Sequence, residues 1–348
     1  MLAPTIANEV VVTPARIMET ALAFWPSKIL LTAVKLDLFS FLSQGNKTAA
    51  EIRSGLNLHS RGIYDFLDTL VALNFLRREG LKENATYCNT METEIFLNKA
   101  HPAYVGGLLI MANNRLYPFW NHLEDALKTG EPQNEVKHGN KPVFEELYED
   151  QDRLEEFVHA MAGIQTGNFI AFARQFDFSD YSTHCDIGGA GGHLSAQIAL
   201  HQPHMQSITF DLPAVAPVAE RNLKAMNVLG QVSIASGDFF TEPFPKADLI
   251  TMGNILHDWD LENKKLLIRK AYEALPDGGA FAVIENVIDD QRKENAFGLM
   301  MSLNMLIETA GGFDFTASEF IEWAREAGFK SMKVMHLTGP TSALVAFK

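Results

Sequence analysis

The sequence is poor in the residues that crosslink small proteins or bind nucleic acids. Its 348 residues include only Cys88 and Cys185, which excludes both a disulfide framework and a multi-cysteine metal site. Basic residues are also scarce, with 29 Lys and Arg against 43 Asp and Glu, for a net charge of −14. Because nucleic-acid binding relies on Lys and Arg to neutralise phosphates, this charge opposes nucleic acid as a partner.

Long uninterrupted apolar runs are missing as well. No 18 consecutive apolar residues occur, and no basic N-terminal region precedes an apolar core, so the sequence predicts neither a membrane span nor a signal peptide. We therefore expect a cytoplasmic protein with no membrane partner. A chain of this length, with 47% hydrophobic residues, is long enough for two globular domains.

The first third of the chain has a helical pattern. Apolar residues in 29–42 recur with helical spacing, and Thr48 and Glu51 form the pattern of a capping box at the start of the next helix. Ser60 is expected to open a third helix, which runs to residue 74, and a hairpin is predicted over 76–90. This order of short helices followed by a hairpin resembles a winged helix-turn-helix module.

Winged modules often recognise DNA, but the charge of the third helix opposes that function here. The helix carries Asp65 and Asp68 against the single cation Arg61, which is the wrong sign for a nucleic-acid groove. We therefore favour a mainly helical, winged-helix-like dimerisation domain over residues 1–110. A second domain is predicted over 111–348, and a DNA-binding regulator is the weaker alternative.

The second domain alternates strand and helix patterns from residue 181 onward. Strands are predicted at 182–186, 206–211, 231–236, 247–252, 279–285, 331–336 and 342–347. Such alternation predicts an α/β fold with a doubly wound, mostly parallel seven-stranded sheet. A fold of this kind binds its ligand at the carboxyl ends of the strands.

A glycine-rich loop follows the first of these strands and indicates a nucleoside ligand. Asp186 ends the strand, and four glycines follow, among them Gly188 and Gly189, which would let the backbone approach a ligand closely. Asp211 closes the next strand 25 residues later (211 − 186), where a ribose diol lies in a βαβ nucleotide site. Since Leu194 occupies the place of a third glycine, a nucleoside without pyrophosphate is favoured, and S-adenosylmethionine fits that description.

Further polar residues follow the later strands. Asp238 and Phe239 come after the third strand, where an acid beside an aromatic suits an adenine ring. The segment 254–260 follows the fourth strand, Glu285 ends the fifth, and the segment 311–316 comes before a late helix.

These segments, in this order, resemble the class I S-adenosylmethionine-dependent methyltransferases. More narrowly, they are similar to the small-molecule O-methyltransferases, which include plant caffeate and hydroxyindole enzymes and bacterial antibiotic and pigment enzymes. The resemblance covers roughly residues 20–348. It is carried by Asp186–Gly192, Phe210–Pro213, Gly237–Phe239, Ile255–Asp260 and Ala271–Gly279.

The resemblance implies a homodimer that methylates a hydroxyl of an aromatic small molecule, with His257 as general base and Glu285 and Asp314 orienting it. An imidazole with a pKa near ~6.5 can accept the proton of a phenol at neutral pH. The family usually has Glu-Arg-Thr where this chain has Asp314-Phe315-Thr316, so the acid is one methylene shorter and the arginine is absent. No metal is expected, because the metal-dependent catechol enzymes lack this N-terminal domain.

The resemblance also assigns the remaining site residues. The cofactor would contact Asp186, Gly188, Gly189, Asp211, Leu212, Asp238, Phe239 and Asn254. The acceptor pocket would contain Phe119, Trp120, Met161, Asp258, Met301 and Met305. Asp260 is better explained as the cap of the helix that starts near Leu261. Transfer to nitrogen or carbon, or non-methylating chemistry on the same scaffold, stays open as an alternative.

Overall fold

The computed structural model describes residues 12–135 and 151–348, except for some side chains between 151 and 164. The chain divides into two compact units between Asn113 and Asn114. The sequence places this boundary three residues earlier, between 110 and 111.

The described part of the first unit contains seven helices and a small three-stranded antiparallel sheet with the order β1-β3-β2. The elements are α1 (Ala15–Leu22), α2 (Phe24–Lys35), α3 (Leu38–Leu42), β1 (Lys47–Thr48), α4 (Ala49–Gly55), α5 (Ile63–Ala72), β2 (Leu76–Glu79), β3 (Thr86–Asn89), α6 (Met91–Phe96) and α7 (Gly106–Met111). The expected hairpin is therefore confirmed. So is the capping box, in which the backbone N–H of Glu51 donates to the Thr48 hydroxyl over 3.3 Å and the Thr48 N–H donates to the Glu51 carboxylate over 2.7 Å.

Two local predictions in this unit need correction. The apolar pattern of 29–42 is divided between α2 and α3, because Asp37 adopts a left-handed φ of 59° between them. The third helix begins after Gly62, whose φ is 86°, and Ser60 does not cap it. Glycine reaches that conformation without steric cost, so it is better suited than serine to this chain reversal.

One segment of the first unit has the average hydropathy of a membrane span, although polar residues interrupt it. Ala15–Lys35, which includes α1 and α2, is long and apolar enough to cross a bilayer, by length and composition only. Length and composition alone are weak grounds for a membrane span, because core helices and signal sequences pass the same test.

The second unit contains the predicted seven-stranded sheet. Its strands are β4 (Thr183–Ile187), β5 (Gln206–Asp211), β6 (Val232–Ser236), β7 (Leu249–Gly253), β8 (Ala280–Glu285), β9 (Ser331–His336) and β10 (Ser342–Phe347). The order is β6-β5-β4-β7-β8-β10-β9, with parallel pairing from β6 to β8 and antiparallel pairing of β10 with both neighbours. The strand order reverses between β4 and β7, so the ligand crevice is expected at their carboxyl ends.

The described residues of this unit also form eight α-helices. They are α8 (Tyr117–Phe119), α9 (Leu123–Thr129), α10 (Gln151–Gln175), α11 (His193–His201), α12 (Ala216–Ala225), α13 (Leu261–Ala274), α14 (Ala296–Glu308) and α15 (Ala317–Ala327). Every residue of β8 is buried. Phe281 and Val283 belong to one hydrophobic cluster and Ala282 and Ile284 to another, as the two-residue period of a strand with both faces covered requires.

Candidate active site

The glycine loop after β4 approaches its neighbours too closely for side chains. A Cβ atom on Gly189 would lie 2.3 Å from the Thr209 hydroxyl oxygen and 3.0 Å from a carboxylate oxygen of Asp186. Gly188 has a φ of 69°, and a Cβ there would lie 2.4 Å from Ile255. At both predicted glycine positions a larger residue would therefore clash with its neighbours.

Asp211 holds this loop against the end of β5. Its two carboxylate oxygens accept hydrogen bonds from the backbone N–H groups of Ala190, over 2.8 Å, and Leu212, over 2.7 Å. Burial raises the pKa of Asp211 to about 6, although both amide donors oppose the rise. Each oxygen keeps acceptor capacity beyond these bonds, so the carboxylate can still receive the hydroxyls of a ribose.

A buried polar network supports the loop from below. The Thr251 hydroxyl donates to Asp186 over 2.7 Å, and Nε2 of His184 lies 2.8 Å from the same hydroxyl oxygen. Nδ1 of His184 lies 3.1 Å from the Ser207 hydroxyl. Burial lowers the pKa of His184 to about 3, so the ring is neutral and can donate through Nε2. Burial raises the pKa of Asp186 to about 7.

The remaining residues expected around the cofactor have mixed surroundings. Asp238 accepts hydrogen bonds from the Phe240 N–H over 2.8 Å and the Thr241 hydroxyl over 3.1 Å, so it stabilises the turn after β6. The Phe239 ring lies edge-on to Trp259, with centroids 5.9 Å apart. Asn254 has a left-handed φ of 56°, and its buried side-chain oxygen has no hydrogen-bond partner among the described residues. That oxygen is available to a ligand.

His257 lies in a short helical turn, Leu256–Asp258, just beyond β7. Its Nδ1 lies 2.6 Å from a carboxylate oxygen of Glu285, which comes from the end of the neighbouring strand β8. Since Glu285 occupies Nδ1, the other ring nitrogen, Nε2, is the one that can exchange a proton with a substrate. Asp258 lies 3.4 Å from Nε2.

The charges around His257 favour its protonated form. Burial alone would lower the pKa of His257, but the adjacent negative charges of Glu285 and Asp258 outweigh burial and raise the pKa well above 6.5. The imidazole therefore has a fixed orientation, and its neutral form is a strong proton acceptor.

Asp314 does not hydrogen-bond to His257. Its nearest carboxylate oxygen lies 4.0 Å from Nδ1, and neither oxygen has a hydrogen-bond partner in the described part of the chain. The side chain is 1% exposed, and burial raises its pKa to about 7, although the charge of His257 opposes the rise. One ligand atom from each of His257, Glu285 and Asp314 lies within 4.8 Å of the others, a spacing that would also suit a metal ion.

Sequence reasoning missed a charged residue near these side chains. Lys264 on α13 has no exposed surface, and its Nζ lies 3.5 Å from the centre of the Phe313 ring. Its position in the apolar stripe of α13, at the spacing of Leu267, Ile268 and Ala271, is the signal that could have revealed it. Arg115 was also missed.

The expected acceptor residues lie on and around α14. The Trp120 indole N–H donates to Asn304 over 2.9 Å, and Arg115 lies 5.5 Å from the centre of the Phe119 ring. Met305 is buried and Met301 is half-buried on the same helix. The side chain of Met161 falls outside the described residues.

Known proteins match this chain along nearly its whole length. An O-methyltransferase domain model matches residues 120–330, and an O-methyltransferase dimerisation domain model matches residues 18–99. The tetracenomycin polyketide synthesis 8-O-methyl transferase of Streptomyces glaucescens is 36% identical over 96% of this chain and 97% of its own length. The chain belongs to the S-adenosylmethionine-dependent O-methyltransferases.

Two further relatives extend this result. The crystal structure of human N-acetylserotonin methyltransferase in complex with S-adenosylmethionine superposes with a TM-score of 0.89 at 27% identity, covering 98% of this chain and 99% of the other. An N,N-dimethyltransferase of Streptomyces rimosus is 31% identical over 90% of each chain. This O-methyltransferase therefore has the class I fold, a dimerisation domain and S-adenosylmethionine as cofactor, while relatives of similar sequence differ in the atom that they methylate.

Proposed function

We propose that this O-methyltransferase methylates a hydroxyl, in the first place a phenolic one, of an aromatic small molecule, with His257 as general base. The observation that carries this proposal is the buried His257–Glu285 pair, in which Nδ1 is held at 2.6 Å and Nε2, with Asp258 at 3.4 Å, is the nitrogen that can exchange a proton. The names of the Streptomyces glaucescens and human relatives support an O-methyl acceptor of this class.

The residues after β4 and β5 fit the cofactor. The close contacts around Gly189 favour a ligand held by backbone groups, and the carboxylate of Asp211 is fixed by two amides where a ribose would lie. The unpartnered oxygen of Asn254 suits a polar group of the same ligand. When bound, S-adenosylmethionine supplies a methyl group on a sulfonium, which is already activated for transfer.

The protein's own contribution is proton transfer and orientation. Nε2 of His257 takes the proton of the acceptor hydroxyl, which makes the oxygen a better nucleophile. Glu285 accepts the hydrogen bond from Nδ1, fixes the tautomer and stabilises the imidazolium that forms. Holding the acceptor oxygen near the cofactor supplies much of the remaining acceleration.

The test of the base is His257→Ala, compared with His336→Ala, which removes an exposed histidine on β9. We expect His257→Ala to lose methyl transfer by about 10²-fold or more and to bind S-adenosylhomocysteine like the wild type. Turnover is measured by mass spectrometry with a panel of phenols, and binding by isothermal titration. Wild-type turnover in His257→Ala would remove the general base from the proposal.

Transfer to nitrogen is the second candidate, and the Streptomyces rimosus relative favours it. A neutral aromatic amine already carries its nucleophilic lone pair, so it depends less on a base than a phenol does. Paired phenol and aniline acceptors of the same ring system separate the two cases. Methylation of the aniline alone, and at an unchanged rate in His257→Ala, would favour nitrogen. Product without an added methyl group would indicate non-methylating chemistry.

We also propose a cytoplasmic homodimer formed through the first unit. The match to a dimerisation domain supports this, as does α1, which has no buried residue and exposes Ile17 and Met18. Phe24 and Trp25 are exposed at the start of α2. Apolar side chains exposed in one region are typical of an interface, and light scattering at micromolar concentration tests the dimer.

A further inference from the structure

Lys264 occupies a position where a lysine is costly. It lies on the buried face of α13, aligned with Leu267, Ile268 and Ala271, and it has 0% exposed surface. A buried ammonium without compensating charge is strongly unfavourable. Its surroundings must therefore supply negative charge or strong acceptors.

The contacts of Lys264 lead to the acids of the candidate active site. Its Nζ donates a hydrogen bond to the backbone carbonyl of Trp259, which follows Asp258. The same Nζ lies 3.5 Å from the ring centre of Phe313 and 5.8 Å from that of Phe315, the two residues that flank Asp314. The ammonium is thus held by the two chain segments that carry these acids.

Four carboxyl groups from different elements stabilise this ammonium electrostatically. They are Glu285 on β8, Asp314 in the loop before α15, Asp258 in the turn of His257, and Asp260 at the N-terminus of α13. Burial lowers the pKa of Lys264 to about 8, while all four acids oppose that shift. The effect is mutual, because the charge of Lys264 in turn lowers the pKa of Asp314.

The balance of these charges determines whether His257 can act as a base. Glu285 and Asp258 already raise its pKa well above 6.5, and further uncompensated negative charge would reduce the neutral fraction of the ring still more. A protonated imidazole cannot accept the proton of a substrate. A cation buried beside the acids opposes that excess.

We propose that Lys264 is a positioning residue for methyl transfer, whose buried ammonium offsets the carboxylates around His257 and so enlarges the fraction of the imidazole that is neutral and able to accept a proton. The inference rests on the proposed role of His257 as base. Lys264 acts through Glu285, Asp314 and Asp258 and has no contact with the reacting atoms in this assignment.

The test compares Lys264→Met with Lys265→Met. Lys265 is the next residue on the same helix, but it pairs with Glu326 over 2.7 Å and lies away from the acids. The pH dependence of kcat/KM for the acceptor is measured, together with S-adenosylhomocysteine affinity and thermal unfolding. In Lys264→Met we expect the acidic limb of the kcat/KM–pH profile to move to higher pH by about one unit, because the acids then act on His257 without the opposing cation. At a given pH on that limb, kcat/KM should be about tenfold lower. Lys265→Met should match the wild type, and cofactor affinity should stay unchanged in both.

A charge-balanced variant keeps the inference testable if Lys264→Met fails to fold. Lys264→Met combined with Asp258→Asn removes the cation together with one of the two carboxylates that raise the pKa of His257, so its acidic limb should return toward that of the wild type. An arginine in place of Lys264 should likewise keep the wild-type limb. The inference is wrong if Lys264→Met folds and its acidic limb is unshifted. It is also wrong if the double variant folds and its acidic limb is still about one pH unit above that of the wild type.

The parallel His257→Ala measurement separates this inference from the proposed function. Turnover retained in His257→Ala removes the base itself, whatever Lys264 does. An inactive His257→Ala beside a Lys264→Met profile that matches Lys265→Met leaves the base in place and refutes the role of Lys264.

Discussion

The glycine loop and the His257 cluster both lie at the carboxyl ends of the parallel strands, but their buried carboxyl groups differ in how they are hydrogen-bonded. Asp211 in the loop region accepts hydrogen bonds from two backbone amides, and Asp186 accepts one from the Thr251 hydroxyl. In the His257 cluster, Asp314 is buried with both oxygens lacking hydrogen-bond partners among the described residues. The loop is therefore arranged for stable binding, whereas the cluster retains unsatisfied negative charge that a proton can neutralise.

The largest effect expected in the glycine loop comes from losing its close backbone approach. Gly189→Ala would bring a Cβ atom to 2.3 Å from the Thr209 hydroxyl oxygen, so the loop must move away from its ligand. We expect S-adenosylhomocysteine binding by isothermal titration to weaken by about 30-fold or more, which corresponds to about 2 kcal/mol.

The matched control for this change is Gly230→Ala. A Cβ atom on Gly230 has nothing within 4 Å, and its φ is not in the left-handed region, so cofactor affinity should stay the same. Equal affinity in the two variants would mean that close backbone approach does not distinguish this loop.

The second prediction uses one substitution, aspartate to asparagine, in both regions. The pKa of Asp314 is raised to about 7 in the folded protein, above 3.8, so its contribution to stability is present at low pH and is lost as the pH rises toward 7. The asparagine of Asp314→Asn cannot ionise. At pH 8 the variant should therefore be more stable than the wild type, by about 1–3 kcal/mol in the free energy of unfolding, and should unfold at a higher temperature. The difference should shrink at pH 5.5, where the wild-type carboxyl is mostly protonated.

Asp211→Asn should have the opposite sign at pH 8. Its new NH₂ group would face a backbone N–H that now donates to a carboxylate oxygen, which leaves a buried donor without a partner. Differential scanning calorimetry of both variants at the two pH values makes the comparison. Destabilisation of both at pH 8 would show that the unpartnered oxygens of Asp314 carry no stability cost.

The difference between the two regions also explains what the sequence could predict. The loop is encoded locally, since Asp186, its glycines and Asp211 lie within 26 residues (186–211) and their spacing alone indicated a nucleoside. The seven strands and the cap of α13 at Asp260 were equally local, and both predictions are confirmed.

The His257 cluster could not be assembled from spacing. His257, Glu285 and Asp314 lie 28 and 29 residues apart (285 − 257 and 314 − 285), and only a family resemblance grouped them. That resemblance gave no information about Lys264, because the lysine belongs to an apolar stripe whose partners are set by tertiary packing. The broken helix at Asp37 was missed for a related reason, since hydrophobic periodicity continues across a local chain reversal.

The smallest expected effect concerns metal. His257, Glu285 and Asp314 are close enough to hold an ion, but Nδ1 of His257 already shares a short hydrogen bond with Glu285. We expect dialysis against EDTA to leave methyl transfer within about twofold of the untreated enzyme, since proton transfer by the imidazole needs no metal. A large loss that Mg²⁺ or Zn²⁺ restores would instead assign the three side chains as ligands.

The position of β10 has a consequence for how this protein matures. β10 lies between β8 and β9, and Ser342 pairs with Glu285, the residue that holds His257. A ribosome-bound chain that has emerged only to residue 330 already carries every candidate catalytic and cofactor residue, yet β8 still lacks the neighbour that covers its edge. The sheet can therefore close only after residue 347 has left the exit tunnel, and until then β8 exposes an apolar edge that invites aggregation.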